Sequence, residues 1–291
     1  MIGPPFLTRQ ERFALVGSTN DVVRGWLAEG TPEVCLAVAD EQSAGRGRDG
    51  RRWVAPPGNA LLLSVGFRPT WLVPDRVWRL AATVSLAMAD AAEEVAGLPD
   101  HAVRLKWPND LVIEGPDPDP GKGRVATVPQ VEGVRKLGGV LGETLGLGSA
   151  DPRAIVGIGV NAGWHARDFP AELADSMTSL IEASGGRPID LPFLLDAFLT
   201  RLEVRIEALR AGRFDVADWT DRQMTTGRRV ELARPDGSVE AARAIGVDAL
   251  SGALVIEDPM VPGGERAVSS GEIVRLHPAA TAGPVASSGR V

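Results

Sequence analysis

With 291 residues, 44% of them hydrophobic and 24% charged, the chain has the apolar content for one large domain plus a small one. A net charge of -7 argues against a general nucleic-acid or membrane-surface binder, so any basic cluster serves a local anion. The single cysteine, Cys35, excludes an intrachain disulfide framework, and its place in the apolar run VCLAVA marks it as a small buried hydrophobe. The opening MIGPPFLTRQERF lacks the basic-then-apolar order of a secretion signal, and no run of 18 or more apolar residues occurs, so a cytoplasmic protein without membrane association is expected. His101, His165 and His277 are far apart and have no thiol companions, so no zinc site is expected and any metal should arrive with substrate.

In chain order, Ser18, Thr19 and Asn20 stand where a helix cap belongs. Val22, Val23, Trp26 and Leu27 then share a face and Gly30 ends the pattern, which predicts a helix over 18–30. An apolar strand, 34–40, follows. GRGRDGRRW (45–53) then places Gly45, Gly47 and Gly50 at the G-x-G-x-x-G spacing of a dinucleotide loop, which needs a helix opening from it. Pro56, Pro57 and Gly58 forbid that helix. Arg46, Arg48, Arg51 and Arg52 point instead to an anion held by guanidinium groups and backbone amides together. Beyond the loop, NALLLSVGF (59–67) predicts a buried strand. The alanine-rich stretch 75–97, between Pro74 and Gly97, predicts a long buried helix. Strands are expected over 102–107, 111–114, 137–145 and 154–161, and a helix over 193–210, giving a mixed sheet with helices that is not a simple βαβ alternation. The Pro, Gly and Asp tract within 115–135 predicts a surface excursion. From 227 onward, short alternating segments punctuated by Asp236-Gly237, Ser251-Gly252, Gly263-Gly264 and Ser270-Gly271 predict a small β-barrel. The final 278–291 is expected to be a disordered tail.

Four segments carry polar groups at the ends of apolar elements. Ser18-Thr19-Asn20 is explained by helix capping if it stands alone. Gln42 with the arginine loop reads either as a solvated loop or as an anion clamp. In RLKWPND (104–110), a polar turn explains Asn109 and Asp110 but leaves Lys106 and Trp107 unexplained. In KLGGVLGE (136–143), Lys136 precedes a glycine pair, and GIGVN (157–161) carries Gly157 and Gly159 in a strand, where a ligand lying against the backbone would justify them. Arg46, Arg48, Arg51, Lys106 and Lys136 together suit two anions held side by side. Joining a carboxylate to a nucleotide triphosphate needs that arrangement, because fixed cations must offset the repulsion between the reacting groups. No Ser-His-Asp or Cys-His set accompanies these motifs.

Ser18-Thr19-Asn20, Gln42, GRGRDGRRW, KWPND, KLGGVLGE and GIGVN, in this order over about residues 13 to 275, resemble the biotin protein ligases. The resemblance implies an α+β fold: a class II aminoacyl-tRNA synthetase-like mixed sheet with helices over 1–226, binding biotin and ATP, and an SH3-like C-terminal barrel over 227–277. It implies formation of biotinyl-5′-AMP from biotin and MgATP, then transfer of biotin to one lysine of a biotin carboxyl carrier domain of acetyl-CoA or related carboxylases. By the same resemblance, Ser18, Thr19, Asn20 and Gln42 would hydrogen-bond biotin or order its pocket. Gly45, Arg46, Gly47 and Arg48 would close over it, and Gly139 and Gly157 would let the backbone approach it. Arg48, Arg51, Trp53, Lys106, Asn109, Asp110 and Asn161 would face ATP or the adenylate, with Trp53 against adenine. Lys136 would neutralise carboxylate and phosphate oxygens, and Asp110 is the candidate general base for the acceptor lysine. Two departures stand out: 25 residues separate Asp110 from Lys136, where many relatives have a short hairpin, and only 17 precede Ser18. The second leaves no room for a helix-turn-helix, so a monofunctional ligase without DNA binding is expected. A weak homodimer stays open. The rivals are a lipoate-type acyl-adenylate ligase and a biotin-sensing regulator without catalysis.

Overall fold

Strand β3 (Ala60–Phe67) is buried along its whole length because the sheet continues on both its edges and helices cover both its faces. The computed structural model describes residues 6–115, 130–131, 133–234 and 236–277. In chain order its elements are β1 (Arg9–Phe13), α1 (Thr19–Ala28), β2 (Cys35–Ala39), β3, α2 (Trp78–Ala96), β4 (Val103–Lys106), β5 (Asp110–Glu114), β6 (Gln130–Val131), β7 (Val134–Leu145) and β8 (Arg153–Asn161). After these come α3 (Leu180–Ala183), α4 (Leu191–Arg210), α5 (Val216–Asp221), β9 (Arg229–Ala233), β10 (Val239–Val247), β11 (Leu254–Glu257), β12 (Glu265–Val268) and β13 (Glu272–Leu276).

The strands run β1-β2-β3-β8-β7-β6-β13-β9-β10-β11-β12, and the β4-β5 hairpin joins through β5 to β7. Among the described residues only β1-β2 and β6-β13 are parallel strand pairs, so the fold is a mixed α+β arrangement, as expected. Successive residues of β2 serve opposite faces. Cys35 and Ala37 pack with Val23, Trp26 and Leu27 of α1, whereas Leu36 and Val38 join the main core with α2 and α4. The alanines of α2 permit close packing on α4, and Gly97 ends α2 in the left-handed conformation with φ 59°.

Strands β9 to β13 enclose a second core of Val230, Leu232, Ala244, Leu254, Ile256, Ile273 and Leu276, to which Trp107, Val112 and Val134 are added from the β4, β5 and β7 region. Among the described residues this ladder is open, since β12 pairs with β11 alone and not with β13; closure into the expected barrel is not seen. The strand and helix positions expected from periodicity are present within a few residues. The exceptions are β1, α3, α5 and β6, which were not anticipated, and β7, which begins at Val134 rather than 137. Most of the expected 115–135 excursion and the 278–291 tail lie outside the described residues. Among the described residues no helix is long and apolar enough to cross a membrane.

Candidate active site

Strand register brings the motifs together on the α1 side of the sheet. Lys106 opposes Asp110, Asp110 opposes Gly139, Gly139 opposes Gly159, and two residues along Ser64 opposes Gly157. Three motifs that are distant in sequence therefore share one rung. Above it lies a cavity of about 310 Å³, bordered by the start of α1, the arginine loop and Lys136. A larger cleft of about 1020 Å³ shares the loop, Lys106, Asn109 and Asp110 with it and extends toward α2 and Gly252.

One end of the cavity is a closed hydrogen-bond set. The Gln42 side-chain carbonyl accepts from the Thr19 amide at 2.7 Å and from the Thr19 hydroxyl at 3.1 Å. Ser64 Oγ lies 2.7 Å from Thr19 Oγ1 and donates to Asn20 Oδ1 at 2.6 Å. Ser18 occupies the N-cap of α1, but its side chain makes no capping bond. Its hydroxyl borders the cavity instead, so capping is not what the side chain does. Asn20 is 3% exposed and its Nδ2 has no partner. A buried amide donor without an acceptor costs about 1 to 3 kcal/mol, and such a group facing a cavity suits a ligand acceptor. Ser64, the centre of this set, was not singled out from sequence. The signal was there: a hydroxyl in the middle of the wholly buried strand ALLLSVGF.

At the other end, Asp110 lies between two ammonium groups. Its Oδ2 is 3.1 Å from Lys106 Nζ and its Oδ1 is 2.6 Å from Lys136 Nζ. Burial alone would raise the Asp110 pKa, but Lys106 and Lys136 outweigh it and hold the carboxyl down to about 2. A carboxylate so stabilised has a lowered proton affinity, which weighs against its expected role as general base for the acceptor lysine. Asp110 is the counter-ion that fixes both lysines. Lys136 is itself pinned through its backbone, its N–H donating to the Ser176 carbonyl at 2.7 Å and its carbonyl accepting from the Thr178 amide at 2.9 Å. Asn109 Nδ2 donates to the Val140 carbonyl at 2.8 Å, tying the KWPND turn to β7.

The strand glycines Gly139, Gly157 and Gly159 border the cavity, and the protein's own side chains also approach them closely. A Cβ on Gly157 would sit 2.2 Å from Asn20 Oδ1, and one on Gly159 would sit 2.6 Å from the Trp53 ring. Gly139 meets Lys136 and Trp53 at ordinary to tight distances. Trp53 thus lies on β7 and β8, with Lys136 Nζ 5.7 Å from its ring centroid. Asn161 is 1% exposed, donates to the Thr178 carbonyl at 3.1 Å and does not border the cavity.

The arginine loop is a hairpin. Trp53 N–H donates to the Gly45 carbonyl at 3.0 Å and Gly47 N–H to the Arg51 carbonyl at 2.7 Å, with Asp49 and Gly50 turning the tip at φ 55° and 73°. A Cβ on Gly45 would meet the Trp53 carbonyl at 2.4 Å, so only glycine closes this stem. The arginines do not converge on one point. Arg46 pairs with Asp21 and Glu143, Arg51 with Glu272, Arg48 reaches the Gly271 carbonyl at 3.3 Å, and Arg52 donates to the Ser43 carbonyl at 3.0 Å. Arg46, Gly47, Arg48 and Arg51 nonetheless border the cavity. Each histidine faces a carboxylate away from this site. Among the described residues no His, Cys, Asp and Glu cluster is placed to hold a metal.

Comparison with known proteins agrees with this geometry. The model of the biotin/lipoate A/B protein ligase family matches residues 13–161. A biotin (acetyl-CoA-carboxylase) ligase of Mycobacterium tuberculosis is 30% identical over 266 residues, covering 90% of this chain and 87% of the relative. A ligase of the same name from Paracoccus denitrificans is 29% identical over 242 residues, covering 80% and 88%. Among solved structures, the biotin protein ligase of Aquifex aeolicus in complex with biotin and ATP superimposes with a TM-score of 0.69 at 25% identity, covering 91% of this chain and 97% of that one. With the family match taking in the start of α1, the arginine hairpin, both lysines and the glycine strands, this chain belongs to the biotin/lipoate A/B protein ligase family.

Proposed function

We propose that this protein is a biotin protein ligase, which activates biotin with MgATP to biotinyl-5′-AMP and transfers the biotinyl group to a lysine of a carboxylase's biotin carboxyl carrier domain. The observation that carries this reading is the pairing, in one cavity, of a neutral hydrogen-bonding end with a doubly cationic end. A ureido ring offers two N–H donors and a carbonyl, which suit the Ser18, Thr19, Asn20, Gln42 and Ser64 set; Asn20 Nδ2, buried without a protein acceptor, would donate to that carbonyl. A dithiolane has no such groups, and this favours biotin over lipoate.

In the first step a biotin carboxylate oxygen attacks the α-phosphorus of ATP and pyrophosphate leaves. Lys136 and Lys106 offset the repulsion between the carboxylate and the phosphate, while Asp110 keeps both ammonium groups in place. Magnesium belongs to the MgATP substrate. Arg48, Arg51 and the backbone of Gly45 to Gly47 form the wall over the acyl phosphate, Asn109 holds the turn beside the nucleotide, and Trp53 closes the remaining side. In the second step the acceptor amine attacks the acyl carbonyl and AMP departs, its charge again met by Lys136. On this reading residues 1–226 form a catalytic domain related to class II aminoacyl-tRNA synthetases, and the β9 to β13 unit over 227–277 is the SH3-like domain.

The test is pyrophosphate release from MgATP with biotin or lipoate as the only acid, followed by addition of a carrier domain and mass spectrometry. Biotin-dependent release and one added biotinyl group are expected. Lipoate-dependent release would move the protein to the other branch of the family, and biotin binding without release would make it a sensor.

A further inference from the structure

The arginine hairpin is held from both of its strands by carboxylates to which the sequence motifs assigned no role. On its first strand, Arg46 Nη1 and Nη2 donate to the two Asp21 oxygens at 2.6 and 2.8 Å, and Nη2 also lies 3.3 Å from Glu143 Oε1. Arg24, one turn along α1 from Asp21, pairs with Asp21 and Glu143 as well, so two guanidinium groups and two carboxylates form one neutral cluster joining α1, β7 and the hairpin. On its second strand, Arg51 Nη1 pairs with Glu272 of β13 at 2.6 Å, and Arg48 bonds the neighbouring Gly271 carbonyl. Between the anchors lies the tip, Arg48 to Gly50, where Asp49 takes a left-handed conformation rare for a residue with a side chain.

We propose that Asp21, Glu143 and Glu272 are positioning residues for substrate binding: through Arg46 and Arg51 they clamp the hairpin stem against the body, and so set the hairpin as a wall of the substrate cavity. The inference rests on the biotin-activating reading of that cavity. It gives Arg46 a different task from the one the resemblance implies, because its guanidinium is committed to the protein rather than to biotin. Bidentate geometry makes the Arg46 pair specific. Partial exposure makes each pair weak alone and sensitive to salt, so the clamp depends on several pairs acting together. A wall held this way can yield to admit substrate without unfolding the sheet beneath.

The test compares wild type with the Asp21→Asn/Glu143→Gln double variant, with Glu272→Gln, and with Asp21→Glu, which keeps a carboxylate. Amide hydrogen exchange across 46–52 is read on the ligand-free proteins, with β3 and β8 as internal controls. Exchange in the hairpin is expected to quicken about fivefold or more in the double variant and in Glu272→Gln, to leave the control strands unchanged, and to return toward wild type in Asp21→Glu. In steady state the KM for biotin should rise roughly tenfold while kcat stays within about twofold. Unchanged hairpin exchange, or faster exchange with an unchanged KM, would overturn the proposal. Because exchange is read without substrate, a wild-type protein that releases no pyrophosphate with biotin would remove the functional reading and still leave the exchange result to judge the clamp.

Discussion

Replacing Asp110 by asparagine removes one carboxylate and leaves two ammonium groups facing each other across a neutral amide. The lowering of the Asp110 pKa from 3.8 to about 2 corresponds to stability on the order of 2 kcal/mol at neutral pH. Because the folded pKa is the depressed one, that contribution is complete above the unfolded value near 3.8 and is lost as pH falls through about 2. Asp110→Asn is therefore expected to cost about 2 to 3 kcal/mol at pH 7, a fall in Tm of roughly 5 to 10 °C, read by thermal and urea unfolding. The catalytic consequence separates two roles. A counter-ion for Lys106 and Lys136 serves both half-reactions, so adenylate formation and transfer from preformed biotinyl-5′-AMP should each slow, on the order of 100-fold. A general base serves transfer alone. Pyrophosphate release under single-turnover conditions and transfer of purified adenylate to a carrier domain measure the two steps separately. Loss confined to transfer, with Tm unchanged, would refute the counter-ion argument and return Asp110 to the role of base.

Other residues give further expectations. Ser64→Ala removes the hydroxyl that joins Thr19 to Asn20; biotin affinity by calorimetry should fall about tenfold and stability by about 1 kcal/mol, and undiminished affinity would exclude Ser64 from the pocket. Gly157→Ala drives a methyl group into Asn20 Oδ1, so the variant should lose roughly 1 to 3 kcal/mol of stability together with biotin binding, whereas a ligand-facing glycine would lose binding alone. Arg222 is 3% exposed and pairs with Glu93, Asp90 and Asp218, tying α5 to α2. Arg222→Ala leaves Glu93, itself 5% exposed, without its partner and should cost about 3 to 5 kcal/mol in urea unfolding; a loss below about 1 kcal/mol would contradict the burial argument.

What could be read in the sequence was whatever local pattern encodes. β2, β3 and β8 are apolar runs because both faces are covered, and α2 and α4 repeat at helical spacing because one side meets the sheet. The charged segment RQERF was not recognised as β1, since an edge strand with solvent beside it needs no apolar run. Lys106 and Asp110 were legible as members of one motif, and the three residues between them, Trp107 to Asn109, set them opposite each other. That Lys136 approaches the same carboxylate follows from the β5-β7 register, which no local pattern records.

The glycines show most clearly where local reading stops. A glycine in a strand says that something approaches the backbone closely, but it does not say what. At Gly157 the visitor is Asn20 and at Gly159 it is Trp53, both from motifs read separately as ligand contacts. The glycines therefore shape the site by letting Asn20 and Trp53 sink onto the sheet, while they themselves still border the cavity. The same logic applies to the hairpin. Its arginines were legible as a cationic cluster, yet their partners Asp21, Glu143 and Glu272 come from α1, β7 and β13, and only the fold puts carboxylates there. An acidic chain that needs a cationic loop at one cavity gains order by pairing the loop's stem internally, while Lys106 and Lys136 share Asp110 at the other end of the same cavity.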